Sequence, residues 1–225
     1  MHSAILYVLA GEPDREELPS TLDGWPAADI EATAYLDGRR IHHGTVAGRV
    51  EVEQRVPVIG EDFITDEREP VTEKVMADVY ADLEAGWGGI STSAAEDVFV
   101  DYLAATAGVI PEAAVLDLVG FAESLSEDAT VNGVVYSQSI EDGHDRDAAG
   151  AQWHQDADRH SLPTEGFSAL AVTYEWDGSY VNAMLAASGY VALYKDWPAD
   201  QWARWVADEI EPYLEQDRDE QEVLG

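Results

Sequence analysis

The densest group of side chains able to hold a metal is His144-Asp145, followed by His154, Asp156, Asp158 and His160, which places three of the six histidines within seventeen residues. Imidazole nitrogens and carboxylate oxygens together suit a divalent Zn, Mn or Fe ion, and a metal so held activates water for hydrolysis. The spacing is half favourable. On a helix over residues 152–160, His154 and Asp158 lie four apart and share a face, whereas His160 falls off it. There is no HExxH pattern. In a chain with 46 acidic residues among 225, a carboxylate beside a histidine is common by chance, so a solvated polar loop is the simpler reading.

The second group is aromatic and crowds the C-terminal half. Trp176, Tyr194, Trp197 and Trp205 are its candidates for an interface, because Trp and Tyr bury large areas while keeping one polar handle. On a helix, Trp202 and Val206 share a face with Ile210 and read as core; Trp205 is turned aside and reads as more exposed. A third group, Arg39-Arg40-Ile41-His42-His43 with Arg49 and Arg55, is the least acidic stretch. It has no stacking platform or helix-turn-helix, so it reads as strand residues that neutralise neighbouring acids. Gly86-Trp87-Gly88-Gly89 matches neither phosphate-loop pattern and reads as a connector, and Ser91 and Ser93 lie outside any G-x-S-x-G elbow.

The elements that must position these groups follow from periodicity. Residues 4–10 make an apolar first strand, with neither the basic start nor the cleavage site of a signal peptide. Ile30, Ala32, Ala34 and Leu36 alternate up to a hairpin signal at Asp37-Gly38, and Val50, Val52, Val56 and Val58 continue the alternation on a strand that Pro57 places near an edge. Val71, Val75, Val79 and Leu83 recur every fourth residue and predict a helix over residues 70–86. Ser93 and Glu96 open a second helix ending near Gly108, and Pro111 opens a third through Ser124. Asn132-Gly133 and Asp177-Gly178 predict hairpins, a short helix includes Trp153, and a last helix starts near Pro198 and stops before Pro212. The sum is an α+β fold: an N-terminal β-meander, a helical middle segment and a C-terminal region of hairpin and helix. Residues 1–125 and 126–225 form two modules or one continuous domain.

Composition sets the environment. The net charge is −34, and acids number 8, 13, 10 and 7 in successive blocks of fifty with 8 in the last twenty-five, so the charge is spread rather than appended. With 46% hydrophobic residues the chain is not a disordered polyanion. Only two residues are lysines. At about 1 M salt the Debye length falls to roughly 3 Å and self-repulsion is largely screened, so the composition points to the cytoplasm of an extreme halophile. Salt adaptation explains the acidity without a DNA-mimicking role. The charge speaks against nucleic acid as a partner, and no apolar run spans a membrane. The absence of cysteine excludes disulfides and thiol chemistry. The expectation is a non-catalytic interaction or assembly protein, an accessory part of a larger complex or mobile element, that binds a protein partner or itself and needs no cofactor. The alternative is a hydrolase with a divalent metal on the 144–160 cluster.

Overall fold

The computed structural model describes residues 2–21, 23–36, 39–59, 64–136, 152–155 and 167–216. They form a twelve-stranded sheet, antiparallel throughout, with three short helices. The strands are β1 (His2–Ala10), β2 (Ala27–Leu36), β3 (Arg39–Ile59), β4 (Ile64–Asp82), β5 (Trp87–Ile90), β6 (Ile110–Leu116), β7 (Thr130–Tyr136), β8 (Gln152–Gln155), β9 (Phe167–Trp176), β10 (Ser179–Ala186), β11 (Tyr190–Leu193) and β12 (Leu214–Gln216). The helices are α1 (Glu96–Ala107), α2 (Leu118–Ser124) and α3 (Ala199–Trp205). No helix among the described residues is long and apolar enough to cross a membrane.

Spatial order is β2-β3-β4-β5-β1-β11-β10-β9-β7-β8. β1 is the centre. One edge pairs with β5 through Ile5–Val8; the other pairs with β11 through His2–Ile5 and then with β6 through Tyr7–Ala10. β6 runs on to pair with β12.

Period-two alternation sends side chains to two faces, and each face has its own core. Tyr7, Leu9, Val46, Ala77, Val79 and Ile90 meet Val98, Phe99, Tyr102 and Leu103 of α1. The opposite face carries Leu6, Tyr80, Trp87, Leu170, Val181 and Val191, covered by Phe121 of α2 and by Trp202, Trp205, Val206 and Ile210 of the C-terminal helix. Gly48 lets α1 lie close on β3, since a Cβ there would come within 2.3 Å of a Val98 methyl carbon. The first-strand, α1 and C-terminal-helix expectations match these elements. Thr92 rather than Ser93 caps the turn that leads into α1, and Gly108 closes α1 at a φ of 70°. Beyond α3 the helix widens into a π turn over Val206–Ile210 and tightens again at Glu211–Tyr213, where Pro212 has no N–H to give. Asp177 and Gly178, with φ of 47° and 70°, make the tight β9–β10 turn.

Four sequence expectations are corrected here, a fifth, the connector at residues 86–89, falling largely on β5, and together they leave the protein more sheet-dominated than a balanced α+β fold. Residues 70–82 are strand, because a spacing of four satisfies period two as well as period 3.6, and Ala77 and Ala81 fill the alternate inward slots. Pro111 lies in β6, where it pairs with Leu9. Asn132-Gly133 is a bulge inside β7, with the Asn132 amide donating to Thr173 Oγ1 at 2.8 Å. Residues 152–155 are the edge strand β8, not a helix.

Candidate interaction surface

The feature that most sets this fold apart is the length of β3 and β4, 21 and 19 residues, against a usual strand of about five or six. β2 accompanies β3 only as far as the Ala27↔Ala47 pair, and β5 leaves β4 at Val79, with Ser91 bonding one residue further at Asp78. From Arg49↔Lys74 outward the two strands pair, among the described residues, only with each other. This two-stranded arm continues for eleven register pairs to Ile59↔Ile64, roughly 35 Å at about 3.3 Å per residue.

The sequence explains why a ribbon forms there. Val50, Val52 and Val56 alternate with Arg49, Glu51, Glu53 and Arg55, and β-branched residues favour the pleated conformation. The valines, with Val71 and Val75 across the ladder, stand on the α1 face and are half-buried. The opposite face is charged. Pro57 and Pro70 each remove one outward-facing donor from the arm's two free edges, which blunts it against strand addition.

The inner end of the same hairpin is clamped. Arg39, the first residue of β3, donates from Nη1 and Nη2 to both carboxylate oxygens of Glu211 at 2.9 and 2.7 Å. The Trp87 indole donates to Glu211 Oε2 at 3.0 Å. Asp82, fully buried at the end of β4, accepts the Glu84 and Ala85 N–H groups on Oδ1. Its Oδ2 lies 3.3 Å from Arg39 Nε, within ion-pair range but outside hydrogen-bond geometry. Arg39 thus ties the hairpin to the C-terminal helix, and Glu211 raises its guanidinium pKa further. On the same face Tyr80 meets Trp202 at 4.3 Å between ring centres, with His2 stacked on Trp202 and bonded to the Tyr80 hydroxyl.

This clamp has a pH signature. Burial lifts the Asp82 carboxyl above its ordinary value, against the pull of its N–H donors and Arg39, and burial together with Asp208 lifts Glu209. A carboxyl with a raised folded pKa binds its proton in the native state before the unfolded chain does. Its contribution to stability is therefore present below the unfolded value of 3.8 for Asp82 and is lost as pH rises through the higher folded value. We expect wild type to gain stability relative to Asp82→Asn as pH is lowered toward 3.8, a difference in which the titration of the other groups cancels. Calorimetry of the two chains at fixed salt measures it; a wild-type stability that declines relative to Asp82→Asn as pH falls would contradict the expectation.

Of the sequence candidates, His144, Asp145, Asp156, Asp158 and His160 lie outside the described residues. His154 is placed only as a backbone position in β8, opposite Val134. Among the described residues no three His, Asp or Glu side chains come together to hold a metal. Trp205 is fully buried and donates to the Tyr174 hydroxyl at 2.7 Å; Trp176 and Trp197 are buried with their rings tilted against each other, 5.2 Å between centres. Tyr194 alone of the four aromatic candidates is exposed. The basic run does not act as one patch. Alternation sends Arg39 and His43 toward α3, and Arg40 and His42 to the α1 face. His42 is buried, and burial lowers its pKa. Beside it, a crevice of about 600 Å³ runs under residues 13–16, where Arg15 pairs with Asp14 and Arg40 with Glu17. Trp87, Gly88 and Gly89 are strand β5 rather than a connector.

Sequence reading missed the arm. Its signal is the alternation of Val50 to Val58, which the false helix over residues 70–86 deprived of a pairing partner. No protein-family model matches the chain, and no curated protein matches it.

Proposed function

We propose that this protein is a non-catalytic interaction or assembly module of a molar-salt cytoplasm, and that the β3–β4 arm is the element through which it engages a partner. The observation that carries the reading is a ribbon of eleven register pairs with no third strand beside it among the described residues. An isolated two-stranded ribbon is marginal in water, and an exposed arm concentrates contact area that the body of the fold does not use. Trp25 and Met76, both exposed large hydrophobic residues, stand at its root, where Arg49 lies over the Trp25 ring at 5.0 Å. Trp, Met and Arg are the residue types enriched in protein contacts.

The test compares the full chain with a variant in which residues 51–72 are replaced by Asn-Gly, closing the hairpin between Val50 and Glu73. Light scattering in about 2 M KCl, where the Debye length is near 2 Å, reads self-assembly, and affinity capture from a lysate of the source cell reads other partners. We expect the full chain to self-assemble or capture a partner, and the trimmed chain to do neither while its circular dichroism melt is retained. A full chain that is monomeric and captures nothing counts against the reading.

A further inference from the structure

The charged face of the arm is banded. From the root outward the paired residues read Arg49↔Lys74, Glu51↔Thr72, Glu53↔Pro70, Arg55↔Arg68 and Pro57↔Asp66, each level about 6.6 Å from the next. Two levels therefore set cation directly against cation. Like charges directly opposite on a ladder are destabilising, and a chain with twelve basic residues among 225 would place well under one such pair in these eighteen positions by composition alone. An arm serving only solubility would place acid against base. Diagonal ion pairs, Arg68 to Glu53 at 3.0 Å and Arg55 to Asp66 at 3.4 Å, relieve one cationic level. The other is not relieved in this way: Arg49 leans on Trp25, and Lys74 has no ion-pair partner among the described residues.

We propose that a second copy of this chain covers this face, arm against antiparallel arm about a two-fold axis at Glu53. The proposal rests on the arm being the interaction element. In that register the Arg49/Lys74 level of one copy meets Asp66 of the other, and Glu51 meets the Arg55/Arg68 level. Glu53 faces its own symmetry mate, with Arg68 of each copy alongside. Every cationic band then opposes an acidic one, and an isologous dimer satisfies both halves at once. The occupant follows from this charge complementarity: read backward along the arm, the pattern opposes unlike charges at every level except the Glu53 level on the axis, where Arg68 of each copy lies beside the two carboxylates. A nucleic acid, uniformly anionic, would be repelled by the Glu51, Glu53 and Asp66 levels. Charge sets register and partner choice more than affinity, and ion pairs in direct contact are screened less than distant charges. Trp25 and Met76, flanking the contact at both ends, add apolar area, a type of contact that excluded salts strengthen.

A charge swap tests this in the full chain. One variant carries Arg55→Glu and Arg68→Glu, the other Glu51→Lys and Glu53→Lys. Each sets like charges against like in its own homodimer, whereas a mixture opposes opposite charges at every level. Sedimentation velocity in about 2 M KCl, where only contact pairs escape screening, should show a wild-type dimer. Each variant alone should dissociate at least about a hundredfold more readily, as several kcal/mol of like-charge contact implies. An equimolar mixture should recover the dimer, with melting curves showing that both variants fold. A wild-type monomer, variants that still dimerise, or a mixture that stays monomeric would each overturn the proposal. A monomeric wild type whose captured partner is lost on trimming residues 51–72 would overturn self-association alone and leave the arm as the interaction element. If both copies' arms are needed but the mixture does not recover, the register is wrong and the proposal falls with it.

Discussion

Trp205→Ala is expected to cost about 4 kcal/mol or more of folding stability, the upper part of the range for removing a fully buried aromatic side chain. The indole is wholly enclosed between the C-terminal helix and β9, and its Nε1 is the donor to the Tyr174 hydroxyl. Truncation opens a cavity and removes one partner of that hydroxyl, which keeps its hydrogen bond with Glu209. At about 2–4 °C per kcal/mol for a chain of this size, the melting temperature should fall by 10 °C or more. Tyr194→Ala, at an exposed ring, should change stability by no more than about 0.5 kcal/mol. Denaturant titration of the two variants in the same buffer separates core from surface; equal effects would contradict the assignment of Trp205 to the core.

The second large effect is expected from salt. Dialysis from about 2 M to about 0.1 M KCl lengthens the Debye length from near 2 Å to about 10 Å, which brings neighbouring carboxylates back into each other's field. Glu96, Asp97 and Asp101 on the outer side of α1 are an example, Asp97 and Asp101 being one helical turn apart. At roughly 0.2 kcal/mol for each of the 34 uncompensated charges, repulsion reaches about 7 kcal/mol, the scale of a whole domain's stability. The protein should unfold or lose its cooperative transition in low salt, and added KCl should restore it. A melting temperature independent of KCl would remove the halophilic reading and leave the acidity without an explanation.

What was legible in the sequence was local. Asp177-Gly178 named its turn because only residues tolerant of positive φ fit there, and Gly108 ended α1 for the same reason. The Pro198 region opened a helix whose Trp202, Val206 and Ile210 lie on one buried stripe. What failed was decided by partners distant in the chain. Val71, Val75 and Val79 carry a spacing that helix and strand share, and only pairing with β3 resolves it. Asn132-Gly133 turns a hairpin when its flanks can pair with each other; here β8 and β9 take both edges of β7, and the amide finds Thr173. Trp205 was misjudged because a helical wheel assumes one covered stripe. The helix is embraced from two sides, so residues at offsets of three and four are both buried. The arm's bands were invisible without register, since Arg55 and Arg68 are thirteen positions apart and become neighbours only in the ladder.

The central position of β1 bears on how the protein is made. It is synthesised long before β11, residues 190–193, the strand that completes the His2–Ile5 part of its edge. At about 5–20 residues per second, the gap amounts to roughly 10–40 s in which the half-sheet around β1 has an open flank. Nascent chains thus pass through a stage in which β1 has β5 and β6 beside it while the outer edge of His2–Ile5 stands open. Chains released before residue 190 should aggregate rather than wait, because closing the sheet around β1 depends on residues far along the chain.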